Sequence, residues 1–285
     1  MIRKASQPLP EDISPIEREL AAAVMAAVRA IKDQTVVADV ARAIEAGDVQ
    51  GALDSIRVEL GEHALNALIP RQLRTAYEQA AEAQQRMLAE ALKIPQVSIR
   101  FDIVNPEAVA FIREHAAELI REWGTSSLEA IRALIQASFT EGITPTKLAR
   151  LIMDSGIGLT QRQIEAIQRF RQGLIEAGKS EAQIERMVAR MAQRALRYRA
   201  EMIARTEIIR ASREGSQALW RQAQEAGLIG SGAMQEWLTA EDERTCLICE
   251  PLDHVKVPLD EQFPGEGGDG PPAHPQCRCA LRLIL

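Results

Sequence analysis

All the cysteines of the 285-residue chain, Cys246, Cys249, Cys277 and Cys279, fall in its last 40 residues. They stand as Cys246-x-x-Cys249 and His274-x-x-Cys277-x-Cys279. A C-x-x-C turn brings two thiolates to one metal and is the usual half of a tetrahedral zinc site. Residues i and i+2 of an extended segment share a face, so Cys277 and Cys279 can both reach one ion, and His274 can replace either. That gives Cys246, Cys249, His274, Cys277 and Cys279 as five candidates for the four positions of a structural zinc. A disulfide framework and four unliganded buried thiols are the alternatives. The first needs an oxidising compartment, and the opening MIRKASQPLPEDIS lacks the apolar core of a secretory signal. A catalytic zinc needs an open coordination position and a placed base; the closing Cys-Arg-Cys reads as a knuckle, not a pocket.

A second set of residues suits phosphate. No proline occurs between Pro145 and Pro251, which permits one long helix, or a pair, from Glu181 to about Gly227. On it, Arg186, Arg190, Arg194 and Arg197 recur at helical spacing and form a stripe able to neutralise phosphates of double-stranded DNA. The competing reading is a solvated face paired with Glu181, Glu185 and neighbouring helices. Ile184, Met187, Val188, Met191, Ala195, Tyr198 and Met202 read as the apolar seam of the same helix. By helical phase Arg205 and Arg213 lie on the apolar side, where a buried arginine needs a carboxylate or carbonyls. Asp242 is the expected partner of Arg205, so Arg205, Thr206, Glu207 and Asp242 read as a structural junction between helix and knuckle.

The elements that must carry these groups are mostly helical. Aromatics make up 4% of the chain while Ala, Leu, Glu, Gln and Arg abound, a composition that favours helices. Ser14-Pro15-Ile16-Glu17 opens a helix expected to run to Lys32. Breaks are expected at Gly47 and Gly61, and another helix runs from about His63 to Leu92 with Pro70 as a kink or boundary. Leu20, Val24, Val28 and Ile31 make the first helix amphipathic, as a core face or as a face for a partner. Val97 to Asp102 alternates like a strand. Helices are then expected from Asn105 to Trp123-Gly124, from Ser126 to Gly142, and from Thr144-Pro145 to Gly156, with capping boxes at Thr160 and Ser180. In chain order this gives a flexible arm (1–13), an N-terminal helical docking region (14–95), a helical core (96–232) and a small β-rich Cys/His module (233–285).

Charge and motifs exclude several classes. Lys plus Arg number 34 against 40 Asp plus Glu, a net charge of −6, so any contact with nucleic acid must come from a local patch. No apolar run is long enough to span a membrane. No P-loop, dinucleotide fingerprint or H-E-x-x-H occurs, and no small-molecule substrate or catalytic residue is indicated. The Gly265–Gly270 run reads as a flexible loop, since no helix follows it to cradle a phosphate.

The C-terminal stretch resembles the phage Mu F-like minor head proteins, a family of phage head morphogenesis proteins. The resemblance is carried by Trp237, Asp242, Arg244, Thr245, Cys246, Cys249, Phe263, Pro264, Pro271, Pro272, His274, Pro275, Cys277, Arg278 and Cys279, with Ile203-Ala204-Arg205-Thr206-Glu207 upstream. It covers roughly Phe101 to the C-terminus. One departure is Leu252-Asp253-His254, where the family often has a glycine soon after the second cysteine. The resemblance implies a mainly α protein with a multi-helix body, a long C-terminal helix and a small β-rich zinc-knuckle module. It also implies a minor capsid protein that is not an enzyme, made in the host cytoplasm and carried in the virion, inside the head near the portal. Its implied partners are the portal protein, the major capsid or scaffold protein, and packaged DNA. Two other classes compete: a metal-dependent hydrolase or toxin-type enzyme, and a zinc-dependent DNA-binding protein.

Overall fold

The computed structural model describes residues 15–99, 106–141, 143–243 and 245–285. The chain is mainly α, with a three-stranded sheet near its C-terminus. In order come α1 (Pro15–Gln34), α2 (Val37–Glu45), α3 (Val49–Asp54), α4 (Val58–Leu92), α5 (Pro106–Glu141), α6 (Pro145–Ser155), α7 (Gln161–Glu176) and α8 (Glu181–Glu225). The strands β1 (Met234–Leu238), β2 (Lys256–Pro258) and β3 (Ala280–Ile284) follow. The arm 1–13, the cap at Ser14 and the helix stop at Gly142 lie outside the described residues.

The described residues within Met1–Glu19, Pro70–Glu114 and Glu201–Leu285 form one compact unit, and those within Leu20–Ile69 and His115–Ala200 form another. Grouping follows packing and not chain order, because α1, α4, α5 and α8 are long enough to contribute to both. No helix among the described residues is long and apolar enough to cross a membrane.

In the second unit, Leu20, Val24, Val28 and Ile31 are all at most 2% exposed. The amphipathic stripe of α1 is therefore covered by the chain itself and is not an open face for a partner. Gly61 does not break a helix. It lies inside α4, where an added Cβ would meet Ile31 Cδ1 at 2.7 Å and Trp123 Cη2 at 2.9 Å. Its lack of a side chain lets α4 approach α1 and α5. Pro70 likewise lies within α4 and does not end the helix. The expected stop at Gly124 is also absent, and α5 runs through it. Ser126 and Ser127 do not cap a new helix; their hydroxyls donate back to the Trp123 carbonyl at 3.1 and 2.8 Å, a bond that competes with capping. Thr160 and Gln163 do form the reciprocal capping box that opens α7.

The seam of α8 differs from the expected one. Ile184, Val188, Ala192, Leu196, Ala200 and Ala204 are buried, whereas Met187 is 37% and Tyr198 57% exposed. The chain offers two apolar lines on this helix, and the one rich in alanine is inward because small side chains let a neighbouring helix close in. The strand expected over 97–102 is absent where it can be seen: Gln96–Ser98 is a single 3-10 turn after Pro95, and residues 100–102 lie outside the described residues.

In the first unit the sheet order is β2-β1-β3, antiparallel throughout. Trp237 on the central strand pairs with Leu281, is fully buried, and meets Phe263 edge-on with ring centroids 5.3 Å apart. Ala81, Leu88, Ile99, Leu219, Trp220, Leu252 and Val257 complete this apolar cluster, in which Cys249, Cys277 and Cys279 are also buried. The module at the C-terminus thus shares its core with α4 and α8.

Candidate metal centre

Each ligand candidate is set by a tight local turn. At Cys246–Cys249 the amide of Cys249 donates to the Cys246 carbonyl at 3.0 Å and that of Glu250 to the same carbonyl at 2.9 Å. The turn aims both sulfurs one way. At the other end, Cys277 and Cys279 lie just before β3, and the Cys277 amide donates to the His274 carbonyl at 3.1 Å. His274 Nε2 lies 3.0 Å from Cys246 Sγ and 3.2 Å from Cys249 Sγ, and Cys249 Sγ lies 3.9 Å from Cys277 Sγ. Tetrahedral zinc with bonds of about 2.3 Å separates its sulfurs by about 3.8 Å, so the cysteine pair across the two halves already has a zinc-like spacing.

The five residues meet as two overlapping triads, Cys246/Cys249/His274 and Cys249/Cys277/Cys279, with ligand atoms within 4.8 Å of one another in each. Cys249 belongs to both. Burial alone would raise the Cys246 thiol, but amide donors from Cys249 and Ile248 outweigh it and hold the thiol below its ordinary value. Hydrogen bonds from Cys249 and Cys279 hold Cys277 down to about 2, and Cys249 is pushed up by the same proton sharing. A set of thiols in which some ionise readily is what a soft cation requires, since the thiolate is the ligand.

Around the cluster, Asp242 takes two hydrogen bonds from Arg278, and Thr206 Oγ1 on α8 accepts from the Gln276 amide at 3.3 Å. Arg205 does not take the partner expected of it: its Nε faces Glu17 at 3.4 Å, with both side chains nearly buried. Asp242 instead serves Arg278, because both lie on the cysteine loops while Arg205 projects from the face of α8 that meets α1. Glu207 is buried on α8, with Arg210 Nε at 4.0 Å. Of the expected junction residues, Thr206 and Asp242 touch the knuckle segments; Arg205 reaches α1.

Arg186, Arg190, Arg194 and Arg197 are all exposed on α8, and none has an ion-pair partner among the described residues. Glu181, expected to pair with them, is taken by Lys147 at 2.8 Å, which with Arg171 lowers its carboxyl.

The structure also contains polar sites that the sequence reading missed. Arg199 is 4% exposed, donates to the Gly158 carbonyl at 2.7 Å and the Ser126 hydroxyl at 2.6 Å, and is lowered by burial to about 10. Its position beside Leu196 and Ala200 on the inward line was the available signal. Gln217 donates to Gln235 Oε1 at 2.8 Å and to the Asp269 carbonyl at 2.7 Å, tying α8 to β1 and to the 265–270 loop. That glycine-rich loop is therefore fastened to the core. His254 stands with φ +59°, and Glu236 Oε1 at 3.2 Å from Nδ1 holds the ring.

Residues 165–282 match a family model described as Phage Mu protein F like protein. The match spans α8, β1, β2, the first half of β3 and the residues Cys246, Cys249, His274, Cys277 and Cys279. No curated protein and no solved structure matches the chain.

Proposed function

We propose that the chain, whose residues 165–282 match the model of the Phage Mu protein F like family, is a minor head protein that acts in phage head morphogenesis. It docks at the portal vertex inside the head, and it is structural, not catalytic. The observation that carries the reading is the family match over the segment that holds the Cys/His cluster. The cluster takes one structural zinc. It closes two loops that are separated by Pro- and Gly-rich chain, and a metal supplies stability that so short a β-sheet lacks. The N-terminal helical region (14–95) supplies the docking surface, and the unpaired arginines of α8 supply contact with packaged DNA through its phosphates.

Two measurements test this. Elemental analysis of natively purified protein should give one zinc per chain; less than about a tenth, with all four thiols readily alkylated, would remove the metal from the account. Particles opened and fractionated should yield the protein together with the portal. Recovery with the shell alone, or absence from the head, would refute the portal assignment.

A further inference from the structure

We propose that Glu241, Asp253 and His254 form a second metal site, separate from the cysteine cluster, that takes one divalent transition-metal ion through two carboxylates and an imidazole. Glu241 follows β1, and Asp253 and His254 precede β2.

The ligand atoms converge. His254 Nε2 lies 3.7 Å from Glu241 Oε1 and 3.7 Å from Asp253 Oδ2, and the three residues offer ligand atoms all within 4.8 Å of one another. A point equidistant from three atoms so spaced lies about 2.4 Å from each, against ordinary metal–nitrogen and metal–oxygen bonds of about 2.0–2.2 Å. The exposed Glu241 side chain can close that small difference.

The histidine is aimed at that point. Its Nδ1 lies 3.2 Å from Glu236 Oε1, and an ionised carboxylate only accepts, so Nδ1 carries the hydrogen and Nε2 is a bare lone pair. Glu236, on the central strand, has a side chain only 3% exposed, and its Oε2 accepts from Arg282 Nε at 2.7 Å. With its countercharge supplied by Arg282, Glu236 does not need the imidazole as a cation. A carboxylate behind the ring, fixing the tautomer so that the far nitrogen faces other ligands, is the outer-shell arrangement of metal-bound histidines.

Asp253 is fixed as well. Its Oδ1 accepts from the Thr239 amide at 2.8 Å, which leaves Oδ2 for the site. The His254 amide donates to the Trp237 carbonyl and the Trp237 amide to the Val255 carbonyl, both at 2.9 Å, so this stretch is bound to β1 from either end. Two of the three ligands are thus held in place before an ion arrives.

Charge and ligand type name the ion. Asp253 and Glu241 bring two negative charges, Glu236 and Arg282 cancel, and a neutral imidazole adds none, so a divalent cation closes the balance. The imidazole favours a transition metal over calcium or magnesium, which take oxygen ligands.

The probe is manganese(II), added to the full chain as natively purified, with free ion read from its EPR signal. Manganese suits carboxylate and not thiolate, so it reports this site and not the cysteine cluster. The wild type should bind one ion per chain. Asp253→Asn keeps the acceptor for Thr239, and His254→Gly removes the ring at a left-handed position that glycine favours (φ +59°), so both should melt as the parent does. Each should raise Kd about tenfold or more, since loss of an outer-shell partner alone costs about 10–100-fold. Glu243→Gln, which removes an exposed acid outside the triad, should leave Kd unchanged. No binding by the wild type, or an unchanged Kd in His254→Gly, overturns the site. So does an equal loss in Glu243→Gln, which would mark a diffuse attraction of cations to an acidic surface.

Discussion

Arg278 grips Asp242 with two parallel hydrogen bonds, Nη1 to Oδ2 at 2.8 Å and Nη2 to Oδ1 at 2.6 Å. Asp242 precedes the first cysteine pair and Arg278 separates Cys277 from Cys279, so this contact spans the two halves of the Cys/His cluster. It also holds the guanidinium above its ordinary pKa, chiefly through the hydrogen bonds to Asp242.

Replacing Arg278 by Lys keeps the charge and loses the fork, so one of the two bonds must go. Asp242 is 34% exposed at its side chain, which limits the loss through solvent screening. We expect the variant to lose about 1 kcal/mol, read as a shift of the denaturant midpoint. A double-mutant cycle with Asp242→Asn should recover a coupling of similar size. Zero coupling would reduce the pair to a bystander.

Two helical glycines should respond with opposite signs to the same change. Gly61→Ala gains about 1 kcal/mol of helix propensity but drives a methyl into Ile31 and Trp123 at 2.7 and 2.9 Å. Overpacking of this kind costs about 1–3 kcal/mol, so the variant should be less stable than the parent. At Gly173, within α7, nothing lies within 4 Å of an added Cβ, so Gly173→Ala should stabilise by about 0.5–1 kcal/mol. Denaturant melts of both decide it; stabilisation at Gly61 would mean that α1 and α5 have room to move.

The contrast between these glycines also marks what the sequence could reveal. Gly47, in a left-handed turn after α2, and the Thr160–Gln163 box act within a few residues, and local chemistry is readable from local sequence. The Cys/His cluster was readable for a related reason, because ligand chemistry restricts residue type whatever the surrounding fold. Gly61 and Gly124 serve packing between helices, so their meaning depends on neighbours far along the chain. The same holds for Arg199, whose acceptor Gly158 lies on another segment, and for Arg205, whose partner Glu17 is on α1. Charged residues at inward phases were visible, but their partners were not.

The arginine stripe of α8 stands exposed, and its four members are free of ion pairs among the described residues. If DNA lies on it, changing Arg186, Arg190, Arg194 and Arg197 together to Gln should flatten the plot of log affinity against log salt by about 3–4 units, since each phosphate contact contributes about 0.9. No sequence preference should appear, because phosphates carry none. An unchanged slope, or no binding by the parent at low salt, would leave the stripe as a solvated face.

The last expectation concerns docking, and the fold changes how it must be tested. Removing residues 1–93 would strip Leu20, Val24, Val28 and Ile31 from one unit, and Leu73, Tyr77, Ala81 and Leu88 from the other. Each fully buried aliphatic side chain is worth about 1.5–3 kcal/mol, and a domain has only about 5–15 kcal/mol in hand. Such a truncation should therefore be insoluble whether or not it ever met a portal, and its absence from heads would mean nothing. The informative changes are on the surface. Val36 and Leu68 are the large aliphatics of the N-terminal helical region that remain well exposed, at 55% and 38%. Val36→Asp with Leu68→Asp should leave the melting temperature and zinc content at parental values, because neither side chain supports the core. If the portal contact uses this region, the double variant should lose its recovery with portal-bearing heads, since a carboxylate buried in an apolar contact without a partner is strongly disfavoured. Entry into heads at the parental amount, by a protein that melts normally, would move the contact to α8 or the knuckle.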